Sequence, residues 1–148
     1  MTDHKVWATI NVAVMKNGKV LLSRRSKKKW MSGYLVLPGG HVVPDEAPSV
    51  AAAREIHEEL GLDLSVERYE FLCVYVRFSE DSIEREKVAY EFAVHLTDDE
   101  DPINTEPDLC TELVWADPSR LPGKVVPEFE QVINKALLGG QKYLEIGY

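Results

Sequence analysis

The sequence predicts an α/β domain: a mixed β-sheet sandwiched between helices that cover both of its faces. Three observations point to it. Several segments alternate apolar and polar residues with period two, one helical segment interrupts them near residues 48–60, and a second closes the series at 126–138. With 148 residues, 45% hydrophobic and 28% charged, the chain is expected to form one domain over 1–148 with a sizeable core.

Taken in order, Lys5 to Met15 reads as a strand in which Ile10, Val12 and Val14 alternate with Thr9, Asn11 and Ala13. Lys16-Asn17-Gly18-Lys19 is a hairpin turn signal, and Val20 to Arg25 is its return strand. Ser26 to Gly33 is a basic loop, and Tyr34 to Leu37 a short strand. Beyond the first helix, Glu67 to Phe78 reads as one long strand with aromatics at Tyr69, Phe71 and Tyr75. Lys87 to Thr97 is its partner, alternating Val88, Tyr90, Phe92 and Val94 with Ala89, Glu91, Ala93 and His95. The acidic segment Thr97 to Leu109 holds Pro102 and Pro107 and reads as a loop, and Glu112 to Ala116 as a strand. Val126 to Leu138 is a helix with Phe129, Val132, Ile133 and Ala136 inward and Gly139-Gly140 as its stop. No element is assigned to the tail Gln141–Tyr148.

The first helix carries the chemistry. Pro48 suits its opening turn, Asp45 and Glu46 favour the positive end of its dipole, Ala47 is a poor cap, and Gly61 is a fitting stop. Val50, Ala53, Ile56, His57 and Leu60 are expected to form its buried stripe. On the other side, Glu55, Glu58 and Glu59 fall within an arc of roughly 100°. Like charges at this spacing cost a few tenths of a kcal/mol per pair. A hard divalent cation, which takes several oxygen ligands, is the simplest offset. Arg54 precedes Glu58 by one turn and adjoins Glu55, so its guanidinium can hold both.

The run from Gly40 to Leu62 matches every fixed position of the pattern G-x5-E-x7-R-E-U-x-E-E-x-G-U, where U is aliphatic: Gly40, Glu46, Arg54, Glu55, Ile56, Glu58, Glu59, Gly61 and Leu62. Average residue frequencies make a chance match on the order of 10⁻⁹ per starting position. In this the chain resembles the Nudix hydrolases of MutT-like type, and Leu37-Pro38-Gly39-Gly40 resembles their approach to the box. The resemblance implies the Nudix fold, an α/β/α sandwich with a mixed β-sheet between helices. It implies hydrolysis of a nucleoside diphosphate linked to another group, by water attack at phosphorus. Glu55, Glu58 and Glu59 would hold Mg²⁺ or Mn²⁺, with the Gly39 carbonyl a further ligand, while Arg54 and Glu46 orient them. Gly40 and Gly61 would serve the shape of the motif.

Outside the box the residues leave alternatives open. The general base is Glu55 or a carboxylate outside the box, for which Glu106, in the loop beside Pro107, is the first choice and the strand-borne Glu91 the second; the ordinary reading of Glu91 is a position on the sheet surface. Arg24 or Arg25 could grip phosphates, whereas Lys27 to Lys29 read as a solvated turn. Trp30, Tyr34 and Tyr90 could stack a base, with one of them expected at the ligand. His41 is near the glycines, and His57 is expected in the core. Glu128 and Glu130 could read base edges or merely favour a helix N-terminus.

A net charge of -8 argues against a DNA- or RNA-binding surface, but a bound cation would still admit a small nucleotide. No apolar run reaches the length of a membrane span, and the start of the chain has no signal-peptide layout. Cys73 and Cys110 lie far apart and are expected to be reduced, which fits a cytoplasmic protein; a homodimer is left open. The favoured substrate is a nucleoside triphosphate cut to monophosphate and pyrophosphate. The alternatives are an ADP-ribose or nucleotide-sugar pyrophosphatase and, from another class, a non-catalytic domain that senses a nucleotide.

Overall fold

β1 (Trp7–Lys16) and β2 (Lys19–Arg25) form a hairpin around Asn17 and Gly18, both at positive φ. This is the conformation that an Asn-Gly pair adopts most readily in a two-residue turn. The computed structural model describes residues 3–148. β1 and β2 pair only beside the turn, at Met15–Val20 and Lys16–Lys19, and then part. Two short strands fill the opening: β3 (Leu35–Val36) pairs with β2, and β4 (Gly39–His41) pairs with β1. The Val12 amide donates to the Pro38 carbonyl at 2.9 Å, tying the link between them to β1.

β5 (Glu70–Phe78) and β6 (Glu86–His95) complete the central sheet, with β6 parallel to β1 and antiparallel to β5. β7 (Cys110–Ala116) pairs with β2, and β8 (Tyr143–Ile146) lies parallel to β5. The tail left without an element is thus an edge strand. A short 3-10 turn, Val66–Arg68, replaces the expected first residues of the long strand. A register shift between Phe71 and Cys73 turns Phe71 outward while Tyr75 stays fully buried.

Both faces are covered, as a mixed sheet with helices on either side requires. α1 (Pro48–Leu60) packs on Ile10, Val12, Val14, Leu21, Phe92 and Val94. α2 (Pro127–Gln131) continues as a π-helical turn, Val132–Leu138, and packs on the face bearing Ala13, Leu22, Cys73, Tyr75 and Ala89. The expected inward residues Phe129, Val132, Ile133 and Ala136 are all buried. Cys73 and Cys110 are free.

α1 is rotated from the expected phase. Its buried residues are Ala51, Ala52, Ile56 and Leu60, while Val50 and His57 face solvent. Two adjacent alanines let the backbone approach the sheet closely, and this leaves the larger Val50 at the rim. The rotation carries Glu59, two turns after Ala52, toward the sheet rather than away from it. Gly61 stops the helix in the left-handed conformation at φ 67°, its amide donating to the His57 carbonyl.

Candidate active site

A cavity of about 450 Å³ opens where β1 and β2 part. Its walls come from Thr9 and Asn11 on β1, Ser23, Arg24 and Arg25 on β2, and the segment Val36–His41. Its volume is in the range that holds a drug-sized ligand. Glu59 and Glu106 lie on its lining, as do Arg77, Lys87 and Glu128.

The C-terminal turn of α1 and the loop after β6 build the acidic part. Four carbonyls at a helix end need outside partners. Here Ile103 N donates to Leu60 O at 3.0 Å, Thr105 N to Glu59 O at 3.3 Å, and the Thr105 hydroxyl to Glu58 O. Asn104 locks the same loop: its Nδ2 donates to Cys110 O at 2.7 Å and its Oδ1 accepts from Glu106 N at 3.1 Å. The loop thereby brings Glu106 into the electrostatic field of Glu59. Burial pushes the Glu59 carboxyl up to about 8, with Glu55 and then Glu106 adding repulsion. Its Oε2 accepts the Gly39 amide at 3.3 Å.

Arg54 spans the rest of the motif. Its Nε and Nη2 hold Glu46 in a bidentate pair at 2.7 and 3.0 Å. Its Nη1 donates to Glu55 at 3.0 Å and to Glu58 at 3.3 Å, and Nη2 also reaches the His41 carbonyl at 3.1 Å. The Glu46 pair, first of all, raises the Arg54 pKa and lowers that of Glu46. Glu55 is pressed against the chain at Gly40, where an added Cβ would lie 2.3 Å from its Oε1. Only glycine leaves room for that carboxylate.

The three box glutamates do not form a closed ligand set. Among the described residues, no group of three His, Cys, Asp or Glu side chains is placed to enclose an ion. Glu58 is half exposed, Glu55 is held by Arg54, and Glu59 faces the cavity. The donor chemistry nevertheless suits a hard cation. Glu59 is mostly buried beside two other carboxylates, and among the described residues it has no Lys or Arg in ion-pair range.

Two more carboxylates are buried here: Glu128 on the cavity lining, and Glu91 bonded to the lining residue Asn11. Glu91 is completely buried, not on the sheet surface as expected; its Oε1 accepts from Asn11 Nδ2 at 2.8 Å and its Oε2 has no partner. Burial pushes its carboxyl up to about 8. Glu128 is buried as well, close to Lys87, Arg77 and the Tyr75 hydroxyl. The amide of Leu35 donates to Lys124 O and that of Val126 to Leu35 O, fastening the start of α2 to β3 and so placing Glu128.

Of the other expected site residues, Arg24, Arg25, Trp30 and His41 line the cavity. Arg24 pairs with Glu112 and donates to Gly33 O at 2.9 Å, and Arg25 donates to Trp30 O. Burial pulls the Arg25 guanidinium below its ordinary value, against the opposing pull of Glu128 and Glu59. Trp30 is 64% exposed at the rim, with the Arg25 guanidinium 6.0 Å from its ring centre. Tyr34 packs in the core on the α2 side and Tyr90 on the α1 side, and Glu130 is exposed. Lys29, expected in a solvated turn, lines the cavity. Asn11, Arg77 and Lys87 also line the cavity; in the sequence Arg77 and Lys87 show only as charged residues, and Asn11 as a polar one, at inward positions of strands.

A NUDIX domain family model matches residues 5–136. A CTP pyrophosphohydrolase of Escherichia coli is 34% identical over 65 residues, 44% of this chain and 48% of that protein, so the match spans about half of that relative. An isopentenyl-diphosphate Delta-isomerase of Corynebacterium diphtheriae is 32% identical over 128 residues, covering 81% of this chain and 68% of that protein. Among solved structures, a MutT NUDIX hydrolase from Burkholderia pseudomallei superposes with a TM-score of 0.78 at 29% identity, over 88% of this chain and 98% of that one. The sheet between two helical layers, the complete motif and these matches agree: the chain belongs to the NUDIX domain family.

Proposed function

We propose that this chain hydrolyses a nucleoside triphosphate to the monophosphate and pyrophosphate, with Mg²⁺ or Mn²⁺ as the metal. One observation carries the reading: a single cavity joins the acidic end, Glu59 and Glu106, to a basic and aromatic end, Arg25, Trp30 and Lys29. A triphosphate needs both, because its charge must be neutralised and its base held. Glu55, Glu58 and Glu59, with the Gly39 carbonyl, would hold the metal, which when bound neutralises phosphate charge and lowers the pKa of water.

The chain's own residues do the remaining work. Arg54 and Glu46 fix Glu55 and Glu58 in direction. Arg24 and Arg25 bind phosphate oxygens, and Trp30 stacks on the base. Glu106 takes a proton from the attacking water as its oxygen bonds to phosphorus and a P–O–P bond breaks; Glu55 is the other candidate. The water oxygen stays on the phosphorus attacked and the bridging oxygen leaves with the other fragment, giving monophosphate and pyrophosphate.

The test is turnover by chelator-treated protein with added Mg²⁺ on nucleoside triphosphates, nucleotide sugars, ADP-ribose and dinucleoside polyphosphates. Monophosphate and pyrophosphate appearing from triphosphates support the reading. Turnover confined to ADP-ribose or nucleotide sugars replaces the substrate, and metal binding without turnover on any of them favours a nucleotide sensor.

A further inference from the structure

Arg77 on β5 and Lys87 on β6 are direct cross-strand partners on the α2 side of the sheet. Like charges directly opposite repel, and both side chains are about nine-tenths buried, at 10% and 9% exposure. One carboxylate answers the two. Oε2 of Glu128 lies 3.1 Å from Lys87 Nζ and 3.6 Å from Arg77 Nε, and accepts the Tyr75 hydroxyl at 3.2 Å. Arg77 Nε has no hydrogen-bond partner. Arg77 Nη2 donates to the Glu84 carbonyl at 2.7 Å, which holds the guanidinium in place. All contacts to Glu128 use Oε2, and Arg77, Lys87 and Glu128 all line the cavity.

This wall therefore offers a cation, a carboxylate and a second cation within a few ångströms. Ammonium and guanidinium groups only donate, and a carboxylate only accepts. A ligand that satisfies the three must present an acceptor to each cation and an N–H to Glu128. We propose that the wall reads the imide edge of a nucleobase, carbonyl, N–H, carbonyl, through Lys87, Glu128 and Arg77, and so selects uracil, thymine and xanthine nucleotides. The proposal rests on the nucleotide reading above and names the base. Cytosine and adenine set an amino group where this wall needs an acceptor, and an amino group facing a buried cation is rejected strongly. A purely anionic end group would satisfy the cations but would confront Glu128. The expected choice differs from that named for the E. coli relative, a CTP pyrophosphohydrolase.

The decisive comparison uses wild-type protein with Mg²⁺ and measures kcat/KM for UTP, dTTP, XTP, CTP, ATP and N3-methyl-UTP, whose ring lacks the central N–H. A good pair of contacts to a base edge separates right from wrong bases by roughly 5- to 150-fold. UTP is expected to exceed CTP, ATP and N3-methyl-UTP by at least about tenfold on that basis. Equal rates for UTP and N3-methyl-UTP, or for UTP and CTP, overturn the proposal. Glu128→Gln, checked for folding by thermal melting, is expected to lower kcat/KM for UTP and to spare N3-methyl-UTP. If it instead speeds every substrate alike, the wall serves an anionic group and the proposal fails. Should no nucleotide be hydrolysed, the reaction assigned above is wrong, and calorimetric binding of UMP against CMP and N3-methyl-UMP then decides the base reading by itself.

Discussion

Replacing Glu91 by glutamine should make the protein more stable at alkaline pH. Burial holds the Glu91 carboxyl at about 8 against an ordinary 4.5, with only the Asn11 hydrogen bond and Lys87 pulling it back. Between those values the native state keeps a proton that the unfolded chain has released, so stability falls as pH rises and levels off above about 8. Each pH unit inside the window costs about 1.4 kcal/mol, so from pH 5 to pH 8 the wild type loses on the order of 3 kcal/mol through this residue. Glu91→Gln keeps an acceptor for Asn11 Nδ2 and removes the titration. Every other ionisable group is common to both proteins and cancels in the difference. Urea unfolding with EDTA at pH 5, 6.5 and 8 measures the gap directly, and a melt should separate by roughly 6–12 °C at pH 8 for a chain of this size. A gap that stays constant across the three pH values refutes the reasoning, because the cost of Glu91 would then be one of packing and not of charge.

Three further substitutions test the acidic end. Glu59, held up at about 8 chiefly by burial, should behave like Glu91 without metal, so Glu59→Gln is expected to steady the metal-free protein at pH 8. The same variant should lose the Mg²⁺-induced rise in melting temperature and at least about 100-fold in kcat, as for a group acting on transition-state charge; a near-normal rate removes Glu59 from the site. Arg54→Lys keeps the charge but not the bidentate fork on Glu46, and it is expected to cost about 2 kcal/mol in urea unfolding, with a cost below about 0.5 kcal/mol contradicting the positioning role. Glu106→Gln should give a smaller, pH-dependent fall in kcat, and an unchanged pH–rate profile moves the base to Glu55.

Most of the fold was legible because its signals are local. Period-two patterning located β1, β5 and β6, the Asn17-Gly18 pair set the first turn and the return strand β2, and Pro48 and Gly61 bounded α1. What escaped depends on contacts distant in sequence. The short strand β4 exists because β1 and β2 part, and β8 exists because β5 offers a free edge. The phase of α1 also escaped. A helical wheel ranks side chains by hydropathy, which favours Val50 over Ala52, whereas the sheet beneath selects the residues small enough to sit closest.

The same distinction divides the site. The motif that carries Glu46, Arg54, Glu55, Glu58 and Glu59 is contiguous, so its composition shows in the chain itself. Its geometry does not: Glu59 turns to the sheet with the helix, and Glu106 reaches it only because a loop closes the end of α1. The wall of Arg77, Lys87 and Glu128 gathers β5, β6 and α2, separated by up to 51 residues. In sequence, Arg77 and Lys87 are ordinary charged residues, and Glu128 is a candidate only by its place at the start of the last helix. What makes them unusual is their common burial, two cations sharing one carboxylate oxygen, since a buried positive charge in excess is costly. On the proposed reading, reaction class lies in the contiguous motif, and substrate choice in residues that only the fold brings together. A chimera that exchanges β5 and β6 with those of a relative, leaving 40–62 intact, should accordingly change the preferred base and keep the bond that is cut.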